Sequence, residues 1–159
     1  MSETKTVNTV ELYAGTLLLD NSDRVYLIKE ADRNRISKGR WNLPGGAVKP
    51  REDLITAAKR ATEEESGFDV VIKTLIGVYK CTKDDKEWIY VVFEAKTNGE
   101  KKSKVSKTVT TGKWFERSEI AQMTSEELVH PDMQLVYTLA VDGCGIPSEA
   151  VKYINYNKQ

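Results

Sequence analysis

From Val7 to Leu19, β-branched, aromatic and other apolar residues crowd a run that stops at the turn Asp20-Asn21-Ser22-Asp23, and Arg24-Val-Tyr-Leu-Ile-Lys29 resumes the pattern. Two such runs around a polar turn predict a β-hairpin. Residues 30–40 are polar and turn-prone, and Trp41-Asn-Leu43 predicts a short extended piece stopped by Pro44, Gly45 and Gly46. The period then changes. Leu54, Ala57, Ala58 and Ala61 recur at i, i+3, i+4 and i+7, a narrow stripe of small apolar residues that predicts a helix from about Glu52 to Ser66, closed by Gly67. Strand-like runs return at Val70–Lys80 and Trp88–Lys96, around the turn Asp84-Asp85-Lys86, and at Thr108–Phe115 beyond a polar loop starting at Thr97. Hydroxyl-led starts at Ser118 and Thr124 predict short helices, His130–Val141 a last long one and Ser148–Tyr156 a short one. Strands, helix, strands, helix without repeats or a linker predict one α/β domain over residues 1–159, a mixed β-sheet flanked by helices.

Composition narrows the partners more than the fold. Lys plus Arg and Asp plus Glu both total 24, so the net charge is zero, which argues against non-specific nucleic-acid or membrane-surface binding. Lys101, Lys102, Lys104 and Lys107 form the one local basic patch, expected as a solvated loop. No apolar run approaches the roughly 20 residues of a membrane span. The first residues, Met-Ser-Glu-Thr-Lys-Thr, carry no apolar signal-peptide core, which points to the cytoplasm. Cys81 and Cys144 lie far apart without metal-ligand spacing, so no disulfide is expected and Cys81 is expected to pack.

The stretch from Gly45 to Phe68 carries the chemistry. A glycine pair lets backbone approach a ligand closely, and exposed amides there suit phosphate oxygens. A helix advances about 100° per residue, so positions 61, 64 and 65 share one face while Glu63 points away. Glu64 and Glu65 on that face suit Mg²⁺ or Mn²⁺, hard cations that take oxygen ligands and keep several waters. Three successive glutamates near a helix C-terminus are unfavourable through the macrodipole, which favours a bound cation. Arg33, Arg35, Lys38 and Arg40, in the loop before the glycines, either meet phosphates or solvate the loop.

In register, Gly46, Glu52, Arg60, Glu64, Glu65, Gly67 and Phe68 resemble the signature of the Nudix (MutT-like) hydrolases, G-x5-E-x7-R-E-U-x-E-E-x-G-U with U a bulky apolar residue. Trp41-Asn-Leu-Pro-Gly-Gly46 precedes it as in many members. Two positions depart: Ala61 stands where the family has glutamate, and Thr62 where it has an apolar residue. The resemblance implies an α/β/α sandwich and hydrolysis of a nucleoside diphosphate linked to a group X, by attack of water on phosphorus. It implies Mg²⁺ or Mn²⁺ as cofactor, a small nucleotide as substrate, and leaves homodimerisation open because members often pair. Glu64, Glu65 and the backbone of Gly46 are then expected at the metal. Gly45, Gly46 and Arg40 are expected at the phosphates, with Glu52 and Arg60 bracing loop and helix.

In many members the glutamate at the Ala61 position binds metal and serves as general base, a role whose loss costs about 10²–10⁴-fold in rate. Three readings stay open. The chain is a weak or silent nucleotide-binding protein; it recruits a base from elsewhere, with Glu94, Glu100 and Glu116 as candidates; or the alanine is an introduced substitution. His130 is expected to begin the last helix rather than to catalyse. Trp41, Trp88 and Trp114 are expected in the core or at its rim, with Tyr13 or Trp41 as candidates to stack on a base. The C-terminal stretch from Leu128 loosely resembles small Nudix phosphatases acting on nucleoside and thiamine-precursor diphosphates, and assigns no substrate.

Overall fold

The structure, a computed structural model, describes residues 9–31, 39–130, 132–155 and 157. Its strands are β1 (Glu11–Leu19), β2 (Val25–Glu30), β3 (Gly45–Ala47), β4 (Val71–Lys83), β5 (Lys86–Lys96), β6 (Val109–Phe115) and β7 (Ile146–Pro147). Its helices are α1 (Leu54–Ser66), α2 (Arg117–Gln122) and α3 (Met133–Val141). One mixed sheet runs β6-β2-β1-β5-β4-β7, with β3 also on β1. The β1–β5 pairing is parallel and the others are antiparallel. Successive residues of β1 point to opposite faces. Ala14 meets Ala57 and Ala58 of α1 on one face, while Leu17 and Leu19 join Met133, Val136, Tyr137 and Ala140 of α3 on the other. That is the mixed sheet flanked by helices that the element order predicts, and the α/β/α sandwich that the resemblance implies. Each large side chain buried in these layers, such as Phe93 or Leu17, contributes roughly 1.5–3 kcal/mol. Among the described residues, no helix is long and apolar enough to cross a membrane.

Several elements differ from expectation for physical reasons. The glycine pair is not a loop. It forms β3, with Gly45 opposite Gly15 and Gly46 opposite Ala14 of β1. Helix α1 begins two residues later than Glu52, because the Asp53 carboxylate accepts from the Thr56 amide at 2.9 Å and caps it. It ends at Gly67, whose φ of 77° only glycine adopts freely and whose N–H donates to the Glu63 carbonyl at 2.9 Å. Thr124 starts no helix. Its amide donates to the Glu127 carboxylate at 2.8 Å, but the Glu127 carbonyl is then taken by the Trp41 amide and Leu128 bridges to Trp41. That sheet-edge pairing pulls the chain out of a helical path. Helix α3 starts at Met133; β7 pairs with Leu75 and Thr74 of β4, and of the short helix expected over Ser148–Tyr156 the described residues form only a single 3-10 turn at Ser148–Ala150. The start of the predicted first strand, Val7 and Asn8, lies outside the described residues.

The sheet opens beside β1, and this opening positions the site. The end of β1 pairs with β2, Leu18 opposite Tyr26 and Leu19 opposite Val25, while its middle pairs with β3. Between them the segment before β3 wedges in. Ile28 and Asn42 exchange backbone bonds at 3.0 and 2.8 Å, and the Thr16 amide donates to the Pro44 carbonyl at 3.0 Å. The far end of β2 is therefore prised away from β1, and the C-terminal end of α1 lies over the gap.

Candidate active site

Glycine is required in this gap by crowding. A Cβ at Gly45 would sit 2.7 Å from the Gly15 Cα and 2.8 Å from the Ala14 carbonyl oxygen, and one at Gly15 would strike the Tyr90 hydroxyl. Tyr90, on β5, thus carries its phenol between the two glycine backbones. At Gly46 a Cβ would lie 3.3 Å from the Ala61 Cβ. The helix position that departs from the family signature is therefore the one pressed against the glycine strand, and Ala61 is buried there.

Glu65 reaches the gap from α1. Its Oε2 accepts the Gly45 N–H at 2.8 Å. That bond also occupies one of the amides expected to meet phosphate. Although the residue as a whole is half-buried, burial of its carboxyl end raises its pKa to about 8, and the Gly45 N–H works against the shift. The Glu30 carboxyl adds to it by charge and by a hydrogen bond to Glu65, as does the charge of Glu64. Tyr90 lies in the same field. Burial, then Glu65 and Glu30, hold its phenol well above the ordinary value, so it remains a neutral hydroxyl.

Glu64 lies near enough to Glu65 for its charge to act there, but it also engages the arginine of its own helix. The Glu64 carboxylate accepts from Arg60 Nη1 at 3.2 Å and its side chain is 54% exposed. Glu63 points away, its Oε1 accepting the Val70 amide at 3.3 Å. The expected brace is present. Arg60 Nε and Nη2 donate to the two oxygens of Glu52 at 2.7 and 2.9 Å, Nη2 also reaches the Ala47 carbonyl at 3.0 Å, and the Lys49 amide donates to Glu52 at 2.9 Å. The Arg60 hydrogen bonds dominate, and they hold the Glu52 carboxyl down at about 2. This clasp ties α1 to the end of β3 and the turn after it.

The carboxylates expected as replacement bases lie elsewhere. Glu94 accepts from the Thr74 hydroxyl at 3.0 Å, Glu116 caps α2, and Glu100 is exposed in the β5–β6 loop, its amide donating to Asn98 at 3.0 Å. Arg40 is exposed at the described flank of its loop, and Arg33, Arg35 and Lys38 lie outside the described residues. Of the basic patch, Lys101 lies 5.5 Å over the Phe68 ring and Lys102 pairs with Asp69. Trp114 packs in a core cluster with Tyr26 and Phe68, and Trp88 is half-buried on β5. Trp41 meets Phe115 edge-on at 4.8 Å and carries the Lys29 ammonium 4.7 Å over its ring, while the Tyr13 hydroxyl donates to Glu11 at 2.8 Å. His130 precedes α3, its ring edge-on to Tyr79 at 4.6 Å, and its buried Nδ1 has no hydrogen-bond partner among the described residues. Burial keeps this imidazole below its usual pKa, so it is neutral at pH 7. Cys81 and Cys144 are free thiols.

The residue missed by sequence reasoning is Glu30. It ends an apolar strand and opens a polar loop, so in one dimension it reads as the first solvated residue. The only available signal was an acidic side chain directly following the run that must end beside the glycine strand.

Residues 11–137 match the family model described as NUDIX domain. The chain belongs to this family. A MutT-like protein from Streptomyces ambofaciens is 30% identical over 138 residues, 83% of this chain and 77% of that one. The 8-oxo-dGDP phosphatase of Homo sapiens is 34% identical over 83 residues, 52% of this chain, which spans only 24% of that enzyme's length. In fold, a Nudix hydrolase from Nitrosomonas europaea superposes with a TM-score of 0.77 at 19% identity, covering 92% of this chain and 98% of that one.

A divalent cation fits the Nudix site in its chemistry. The buried Glu65 carboxyl, set against backbone that no Cβ obstructs, offers hard oxygen donors whose ionised form a cation would stabilise. Among the described residues, no group of three or more His, Cys, Asp or Glu side chains is assembled into a ready metal cage. The arrangement suits a cation that keeps waters and shares substrate oxygens.

Proposed function

We propose that this chain is a divalent-cation-dependent pyrophosphohydrolase that cleaves a nucleoside diphosphate linked to a further group X, nucleoside triphosphates included. One observation carries the reading: the Glu65 carboxylate, oriented by the Gly45 N–H at 2.8 Å, lies in a gap of the sheet lined by glycine backbone. Mg²⁺ or Mn²⁺, when bound, neutralises phosphate charge and lowers the pKa of an attacking water. Glu65, with Glu64 beside it and the Gly46 backbone opposite, would hold the cation. Gly45, Gly46 and Arg40 flank the phosphate path. The Glu52–Arg60 clasp fixes the helix against the glycine strand, so that the carboxylates stay in register with the phosphates. The names of the relatives, an 8-oxo-dGDP phosphatase and a MutT-like protein among them, support a nucleotide as substrate.

Incubation with nucleoside di- and triphosphates, nucleotide sugars and dinucleotide polyphosphates, with Mg²⁺ or Mn²⁺, tests this. Metal-dependent product release that falls at least about 100-fold in Glu65→Gln is expected. A second reading is favoured by Ala61, which puts a buried methyl where relatives of this signature carry a carboxylate. It is a nucleotide-binding protein with little or no turnover. Metal-dependent binding of a nucleotide without products from any of these substrates would establish it over the first.

A further inference from the structure

The Gly45 amide, a donor that the glycine strand was expected to offer a phosphate, is already committed: it donates to Glu65 Oε2 at 2.8 Å. Another donor reaches the same place from a different strand. Tyr90 lies on β5 between Tyr13 of β1 and Tyr79 of β4, and its side chain packs against the core cluster of Leu17, Leu43 and Val92 on the face that α3 covers. It ends at the glycine pair. A Cβ built on Gly15 would strike the hydroxyl, and one built on Gly45 would stop 2.9 Å from it. Gly15 and Gly45 are opposite one another in the β1–β3 ladder, so both give up their side-chain space to this one oxygen. The ring is held from behind, its centroid 5.9 Å from that of His130, which in turn meets Tyr79 at 4.6 Å. A phenol is neutral at pH 7 and carries one O–H to donate. Among the described residues, none accepts it.

We propose that the Tyr90 hydroxyl is a phosphate contact, donating to a non-bridging oxygen of the substrate's phosphate chain where that chain crosses Gly15 and Gly45. The assignment rests on the pyrophosphohydrolase reading above and names one more residue of the same site. A donor fixed by packing before the ligand arrives loses little freedom on binding, and it is aimed where negative charge must sit. Its neutrality matters as well. It supplies a hydrogen bond without a cation that the Glu65 carboxylate would capture. Sequence spacing hides the residue, because Tyr90 is 45 positions from Gly45 and 75 from Gly15, and in a strand rich in aromatic and β-branched residues it reads as packing.

Calorimetry on the full chain with Mn²⁺ and two kinds of probe tests the contact apart from turnover. The probes are the α,β-methylene analogues of the four ribonucleoside triphosphates, and imidodiphosphate, which has neither sugar nor base. Tyr90→Phe is expected to bind both kinds at least about tenfold more weakly than the parent. Mn²⁺ alone, followed by electron paramagnetic resonance of the free ion, is expected to bind parent and variant equally, because the hydroxyl meets the phosphate and not the cation. The melting temperature without ligand is expected to stay at the parent's. A variant that melts well below the parent would show that the hydroxyl serves the fold, and overturns the assignment. So does equal binding of both probes by parent and Tyr90→Phe, which leaves the function proposed above standing. A loss confined to the methylene analogues moves the contact to the sugar or base, and overturns it as a phosphate contact. A parent that binds neither probe in the presence of Mn²⁺ removes the proposed function, and the part of Tyr90 with it.

Discussion

The two residues that break the family signature are neighbours with opposite consequences. Ala61 subtracts a functional group and lets the helix close onto Gly46. Thr62 adds a polar group to a fully buried position, and the fold answers it: its hydroxyl shares a 2.9 Å hydrogen bond with that of Thr16 on β1, also fully buried. A hydroxyl that loses its partner in such a place costs more than the bond was worth, because it is left desolvated. Thr62→Val, nearly isosteric, is therefore expected to lose about 1–3 kcal/mol in chemical denaturation. The double variant Thr16→Val/Thr62→Val is expected to regain much of that loss, since no orphan remains. Strict additivity of the two single substitutions would show that the hydroxyls are not coupled.

At the scale of elements, α1 is held by a clasp rather than by its own propensity. Its buried face is mostly alanine, so area burial fixes it weakly, and the two-pronged Arg60–Glu52 contact at 2.7 and 2.9 Å ties it to the turn after β3. Glu52 has a folded-state pKa of about 2 against an ordinary 4.5, chiefly because it accepts from Arg60. A depressed carboxylate stabilises the fold above its unfolded pKa, and that contribution fades as pH falls from about 4.5 to about 2. Glu52→Gln is expected to cost roughly 2 kcal/mol at pH 7, less than the full shift because Arg60 is partly solvated. Its stability should then decline less steeply than the parent's across that acid window. Parallel acid-denaturation curves for the two proteins would remove the clasp from the argument. Gly67, helix α1 and the β4–β5 hairpin were legible in the sequence because each is fixed by local periodicity and turn residues. Glu52, Arg60 and the layer order were legible only through the resemblance of the spaced motif to the family signature. Strand β3 was not, because glycines that pair by close approach look identical in one dimension to glycines that turn. Glu30 was not, because its neighbour Glu65 is 35 residues away and only the splaying of β2 from β1 brings them together.

For the whole molecule, the site and the stability are opposed. Strand β1 changes partner from β3 to β2 midway along its length, and the opening is filled by backbone, by the Tyr90 phenol and by acidic side chains whose charges oppose one another. Glu65 carries the largest share of this strain. Burial first, then Glu30 and Glu64, lift its folded pKa to about 8 from 4.5, so protonation favours the folded state. That contribution is complete below about pH 4.5 and is lost as pH rises towards 8, where the folded protein must ionise a group that the unfolded chain ionised long before. A divalent cation that binds only the folded, ionised site offsets the loss by mass action. Millimolar Mg²⁺ is therefore expected to raise the melting temperature, and to raise it more at pH 8 than at pH 6. Glu65→Gln without cation is expected to melt at or above the parent at pH 8, and to give no Mg²⁺ shift at either pH. A cation shift that survives Glu65→Gln, or one that is larger at pH 6, would mean that the charge gathered at this opening is not what the ion answers, and the site would have to be sought on another face of the sheet.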